Sequence, residues 1–388
     1  MTESPVGNWS YPTTVKFGAG RIKELADHCK AVGIFKPLLV TDPGLAGLPM
    51  IADAFVSLEK AGVPAVIFSK LKSNPVAQNV EDGVAALRSG KHDGVIAWGG
   101  GSGLDTGKVI AFMAGQKRPM WDFEDIGDWW TRADPDGIAP VIAVPTTAGT
   151  GSETGRAGVI TDETTHTKKV IFHPKMMPRI VIADPELTVG LPPHLTAATG
   201  MDAFAHCLEA YCAPGYHPYA DGIAVEGMRL VKEYLERAVA DGKDIEARAH
   251  MLAASQMGST AFQKGLGAIH SLSHPVGAVL DTHHGLTNAV AMPYVLKFNR
   301  DAIAERIARL ARYLGLARAD FDGFLDWVLQ LRQRLQIPQT FADLGVKEDM
   351  LDRFAEMAAV DPTAGGNPVK AGVPEMRKMY DAALNGRL

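Results

Sequence analysis

The sequence predicts an α/β half, residues 1–190, followed by an all-helical half, residues 191–388. Three observations carry this. Short apolar runs rich in β-branched residues recur through the first half, amphipathic stretches lie between them, and the alternation stops after Asp184. In chain order the runs are 37–42 (PLLVTD), 65–68 (AVIF), 94–98 (GVIAW), 141–144 (VIAV) and 180–184 (IVIAD). They are apolar throughout rather than alternating, which fits strands of a parallel sheet covered on both faces. Residues 21–32, 51–61 and 76–89 have the helical spacing needed for the covering layers. The segment 191–195 (LPPHL) closes this half. Beyond it the period is helical, at 198–211, 219–239, 245–263, 302–314 and 321–335. Residues 121–137, with Trp129, Trp130 and several aspartates, read as an inserted loop packed as a lid or interface element.

Composition narrows the function classes. A chain of 388 residues exceeds one ordinary core, and 46% hydrophobic with 21% charged residues is a globular balance. A net charge of -5 gives no basic field, so neither nucleic acid nor an anionic membrane is an expected partner. The opening MTESPVGNWSYPTT lacks a basic stretch followed by an apolar one, and no apolar run approaches the ~20 residues of a membrane helix. Cys29, Cys207 and Cys212 cannot all pair and show no CxxC spacing. A cytoplasmic enzyme without disulfides is the expectation.

Two loops in the first half suit phosphate. WGGGSGLDTGK, residues 98–108, follows a strand and opens a helix. Glycine lets the backbone approach phosphate oxygens, and a helix N-terminus offers unpaired N–H groups with partial positive charge. It is neither GxGxxG nor a P-loop, since Val109 follows Lys108 where Ser or Thr would be required. PTTAGTGSET, residues 145–154, follows the strand at 141–144 and could form a second wall of one dinucleotide cleft at the strands' carboxyl ends. Asp42, at the end of the first run, suits a ribose 2′-OH and disfavours a 2′-phosphate, so NAD is expected over NADP; a helix N-cap before Pro43 is the plain alternative.

The second half carries a different chemistry. Asp202 and His206 are four apart in a helical pattern, as are His270 and His274, and His284 lies ten further on beside Gly285. Residues four apart share a helix face. One buried histidine is usually a hydrogen-bonded core residue, but several at this spacing suit a divalent cation, with imidazoles and a carboxylate as ligands. HSLSH lacks the glutamate of HExxH, which argues against a zinc peptidase.

With GGGSGLDTGK, PTTAGTGSE, ATGMDAFAHCLEAY, AIHSLSHPVGAVLDTHHG and TAGGNP in this order, the chain resembles the iron-dependent (group III) alcohol dehydrogenase family over essentially its whole length. The resemblance implies a dehydroquinate-synthase-like fold: an α/β dinucleotide-binding domain over 1–190 and an all-α metal-binding, catalytic domain over 191–388. It implies reversible hydride transfer between an alcohol or aldehyde substrate and NAD, with Fe²⁺, or Zn²⁺ or another divalent ion, at the metal centre. The matching metal ligands are Asp202, His206, His270 and His284; His274 matches a histidine near substrate that serves in proton transfer. The matching cofactor positions are Asp42, Asn74, Gly99, Gly100, Gly101, Ser102, Thr146, Thr147, Thr150 and Lys168. Gly103 and His283 stand where many members have proline, so His283 competes with His284 for the ligand role. Arg156 lies near positions that line the substrate pocket in relatives. Aimed inward it would suit an anionic alcohol such as a hydroxy acid; aimed outward it is a surface residue. Relatives suggest a homo-oligomer, a dimer or higher. A metal- and NAD-dependent lyase on the same scaffold is the alternative function.

Overall fold

A computed structural model describes the backbone of residues 7–9, 12–165 and 167–388, and the side chains of these from residue 12 onward. Most of the opening segment read for a signal therefore lies outside the described residues. The chain divides into two compact units, one of residues 1–147 with 151–190, the other of 148–150 with 191–388. Residues 148–150 thus group with the helical unit, not with the α/β half where the sequence reading put them.

The first unit is built on a seven-stranded sheet. Its strands in chain order are β1 (Gly7–Trp9), β2 (Thr14–Phe17), β3 (Pro37–Val40), β4 (Val66–Phe68), β5 (Gly94–Gly99), β6 (Val141–Pro145) and, after a separate hairpin of β7 (Ala157–Asp162) and β8 (Thr167–Phe172), β9 (Ile180–Ala183). The spatial order is β1-β2-β9-β6-β5-β3-β4, parallel except for the antiparallel edge strand β1. All five strands read from apolar runs are present. β3, β5, β6 and β9 are buried along their whole length, as unalternating runs require. The helices are α1 (Leu25–Ala31), α2 (Pro43–Ala46), α3 (Pro49–Lys60), α4 (Ala77–Ser89) and α5 (Gly101–Met113). Chain connection reverses direction across the β3–β5 pair, because β4 lies on one side of β3 and β5 on the other. Ligands of such sheets bind at that reversal, beyond the carboxyl ends of the strands. The 121–137 segment folds as three short 3₁₀ turns, with the Trp130 ring edge-on to Phe172 of β8.

The second unit is helical: α6 (Pro193–Cys212), α7 (Pro218–Ala240), α8 (Ile245–Ala261), α9 (Ala268–Leu280), α10 (His284–Tyr313), α11 (Phe321–Arg334), α12 (Leu351–Ala359) and α13 (Val373–Asn385). α6 is its central element, with 16 of its 20 residues buried. A helix apolar on every side must be surrounded, and small residues allow the close approach. A Cβ on Gly227 of α7 would lie 2.6 Å from Cys207 Sγ, and one on Gly258 of α8 would lie 3.0 Å from the His206 Cβ. No helix among the described residues is long and apolar enough to cross a membrane.

Candidate metal centre and nucleotide loops

Three helices of the second unit deliver one cluster. Asp202, His206, His270 and His284 each present a ligand atom, and these atoms lie within 4.8 Å of one another. α6 supplies the first two one turn apart, α9 supplies His270, and His284 opens α10. His206 Nε2 and His270 Nε2 are 3.0 Å apart, and His284 Nε2 stands 3.6 Å from Asp202 Oδ1. His283 is not in the cluster. It is the N-cap of α10, where its Nδ1 accepts from the Leu286 N–H at 3.4 Å. The choice between the neighbouring histidines thus follows from the helix start.

The surroundings tune these groups. Burial pushes His206 down to about 4, against the pull of the Asp202 carboxylate, so its imidazole is neutral near pH 7 as a ligand must be. Burial also opposes a charge on His270, but the Glu209 carboxylate outweighs it and the net shift is upward. Glu209 Oε2 lies 2.5 Å from His270 Nδ1. Asn288, fully buried one turn after His284, donates from Nδ2 to Asp202 Oδ1 at 2.8 Å and points the same amide at His270 and His284 Nε2, at 3.2 and 3.1 Å. Asn288 Oδ1 and His206 Nδ1 are buried without a hydrogen-bond partner. Three imidazoles and a carboxylate with ligand atoms gathered round one point, and few N–H or O–H groups offered to them, form a donor set that fits a divalent cation.

His274, one turn beyond His270, stacks on the His284 ring at 5.3 Å between centroids. Its Nδ1 is 2.8 Å from Asp361 Oδ2. Burial would raise the Asp361 pKa, but His274 and Thr363 outweigh it and hold the carboxyl at about 2. Thr150, read as a cofactor position, donates from its hydroxyl to Asp202 Oδ2 at 3.3 Å.

In the first unit, Asp42, the glycines 99–101 with Ser102, and Thr146 with Thr147 follow the adjacent parallel strands β3, β5 and β6. The Thr146 N–H donates to the Gly99 carbonyl at 3.0 Å, and a Cβ on Gly100 would lie 3.2 Å from the Thr147 hydroxyl. Gly99 has φ of 142°, a conformation that glycine alone adopts readily. Asp42 caps α2, accepting from the Leu45 N–H at 3.0 Å through Oδ1, while Oδ2 faces the Gly99 turn. The N-cap reading of Asp42 is therefore realised with one oxygen. Ser102 donates to the Ser73 carbonyl, next to Asn74, and Lys168 lies on β8. Lys108, the last residue of the first loop, is buried: its Nζ donates to the carbonyls of Ser152, in the 145–154 loop, at 2.8 Å, and of Ala157, the first residue of β7, and so ties the two loops to that strand. Arg156 is exposed, with its guanidinium 5.6 Å from the Phe172 ring centre.

Sequence reasoning missed Glu209, Asn288 and Asp361. Two had a signal. Glu209 is seven residues after Asp202 and Asn288 four after His284, both on the ligand-bearing helix faces. Asp361 had none, because its partner is 87 positions away.

Comparison with known proteins agrees with this arrangement. Residues 12–185 match the model for iron-containing alcohol dehydrogenases, and residues 196–384 match that for the C-terminal part of the Fe-containing alcohol dehydrogenase family. The chain is 40% identical over 384 residues to a 4-hydroxybutyrate dehydrogenase of Cupriavidus necator, covering 96% of this chain and 99% of the relative. It is 36% identical to an NAD-dependent methanol dehydrogenase of Bacillus methanolicus, covering 97% and 100% respectively. The crystal structure of a 1,3-propanediol oxidoreductase superposes with a TM-score of 0.91 at 35% identity, covering 95% of this chain and 97% of that one. The chain belongs to the iron-containing alcohol dehydrogenase family.

Proposed function

We propose that this chain oxidises and re-forms a short primary alcohol with NAD, at a divalent cation held by Asp202, His206, His270 and His284. The observation that carries the reading is the four-donor cluster in a chain of this family. A cation bound there supplies Lewis-acid polarisation of the substrate oxygen. The nicotinamide supplies the hydride acceptor. Fe²⁺ is the expected metal from the family's name; the same ligands also suit Zn²⁺.

The remaining work falls to the protein. Glycines 99–101 and Ser102, at the start of α5, offer backbone N–H groups to a pyrophosphate, with Asn74, Thr146, Thr147 and Lys168 as further cofactor contacts. Asp42 Oδ2 receives the ribose hydroxyl. Asp361 holds the His274 Nδ1 proton, which leaves Nε2 to exchange the alcohol proton with solvent. The 40% relative named for 4-hydroxybutyrate makes an ω-hydroxy acid the leading substrate class, with Arg156 as the cation proposed to receive its carboxylate. The lyase alternative finds no support, because all three relatives above are named for alcohol oxidoreduction.

NADH formation across a panel of 1-butanol, methanol, 1,3-propanediol and 4-hydroxybutyrate, with Fe²⁺-loaded wild type and His270→Ala, tests the reading. Activity lost in the variant is expected. Equal activity in both would remove the cluster from the reaction. Arg156→Ala should raise KM for 4-hydroxybutyrate and leave 1-butanol unchanged.

A further inference from the structure

We infer that Glu209 is a positioning residue that sets which nitrogen of His270 carries the proton, an inference resting on the reading of the cluster as a cation site. The two oxygens of Glu209 accept from consecutive residues. Oε1 takes the Ile269 N–H at 2.7 Å, and Oε2 lies 2.5 Å from His270 Nδ1. With its proton on Nδ1, His270 turns the Nε2 lone pair toward Asp202, His206 and His284. The side chain is 5% exposed, so water does not compete for the carboxylate.

Local structure explains why a residue of α6 does this. The N-cap of α9 is Gly267, which has no side chain with which to satisfy the first N–H groups of the helix. Two side chains from elsewhere take the place of a cap: Asn367 Oδ1 accepts from the Ala268 N–H at 3.2 Å, and Glu209 accepts from Ile269. Gly267 also makes room for both, since a Cβ there would lie 3.0 Å from Asn367 Oδ1 and 3.1 Å from Glu209 Oε1. The two caps differ in chemistry for a reason. Asn367 must accept on one side and donate on the other, to Asn299 Oδ1 at 2.8 Å and the Val369 carbonyl, and an amide does both. Glu209 faces two donors and no acceptor. Only a carboxylate satisfies both, whereas glutamine in either orientation turns its NH₂ on one of them. A helix cap alone would need one oxygen. The second oxygen is committed to the imidazole.

The test uses the full chain, stripped of metal and reloaded with Co²⁺, as wild type, Glu209→Gln, Glu209→Asp and His270→Ala. Co²⁺ affinity is read by competition with a chelator, the ligand field by visible absorption, and the His270 tautomer of the stripped protein by ¹⁵N NMR. Glu209→Gln should weaken Co²⁺ binding by about 10- to 100-fold, the range for partners behind a ligand, and move the His270 proton toward Nε2. Glu209→Asp, which keeps both acceptors, should fall between Gln and wild type. Wild-type affinity, spectrum and tautomer in Glu209→Gln would overturn the inference. So would a wild-type His270 protonated on Nε2, a result that needs no variant to fold. A different pattern, with Co²⁺ absent from wild type or held equally by His270→Ala, would instead overturn the cluster as a cation site.

Discussion

Gly285 is the residue where helix packing and the cluster meet, and replacing it with alanine should damage both. A Cβ at this position, next to His284, would lie 2.3 Å from the Ala198 carbonyl oxygen and 2.8 Å from the Asp202 Cβ. Ordinary contact begins at 3.4 Å, so α10 must withdraw from α6 by about 3.4 − 2.3 = 1.1 Å at its first turn. The obstacle is helix backbone, which cannot rotate away. Overpacking of this kind costs about 1–3 kcal/mol. In a unit of this size that is a fall in Tm of roughly 2–4 °C per kcal/mol. Metal–ligand distances tolerate only ~0.2 Å, so the same displacement takes His284 out of reach of a cation shared with Asp202 and His206. Gly285→Ala should therefore melt earlier and bind Co²⁺ at least about tenfold more weakly, on the scale of losing a supporting contact. Calorimetry of the stripped protein separates the packing cost from the binding loss measured by dialysis. A variant with wild-type Tm and wild-type Co²⁺ affinity would show that α10 does not approach α6 this closely.

Gly222→Ala should do the reverse, because this exposed α7 glycine has nothing within 4 Å of its would-be Cβ; a gain of about 0.4–1 kcal/mol in urea unfolding is expected. Cys29, Cys207 and Cys212 are buried and free, and burial pushes each thiol up to about 12. None should react with a thiol reagent in the native protein near pH 8, while all three should react in guanidinium; a fast native phase would contradict this burial. Asp361→Asn should cost about 1–3 kcal/mol near neutral pH, since the variant accepts less well from half-buried Thr363 and His274. Its folded carboxyl sits at about 2, below the unfolded value of about 3.9, so the stabilisation is full above the unfolded value and disappears as pH falls through the folded one. Urea unfolding of both proteins should show the gap closing across that window, and a gap independent of pH would refute the assignment.

What the sequence revealed, and what it hid, follows from the range of the interactions. Runs such as PLLV and VIAV are buried on both sheet faces, so their composition alone identified β3 and β6 as parallel core strands. β2 (TVKF) alternates, with Val15 and Phe17 buried and Lys16 partly exposed, and is too short to stand out. The β7–β8 hairpin mixes Thr, Lys and Asp with apolar residues, because the outer face of β8 is only half-buried. The cluster was legible because Asp202 and His206 share a helix face, and the recognised motifs added His270 and His284. Its supports were less so: Asp361 and Asn367 act on residues 87 and 99 positions away, and no local pattern encodes such a partner.

Those long separations bear on how the chain acquires its site during synthesis. As α9 leaves the ribosome, Glu209 has already been made, but the amide that takes the Ala268 N–H lies 99 residues further on. For that interval the start of the helix carrying His270 and His274 is only half closed. Loop closure over such distances is slow compared with helix formation. A nascent chain can thus own all four donors before it owns the means of holding them in place, and the finished cluster becomes an event of late folding.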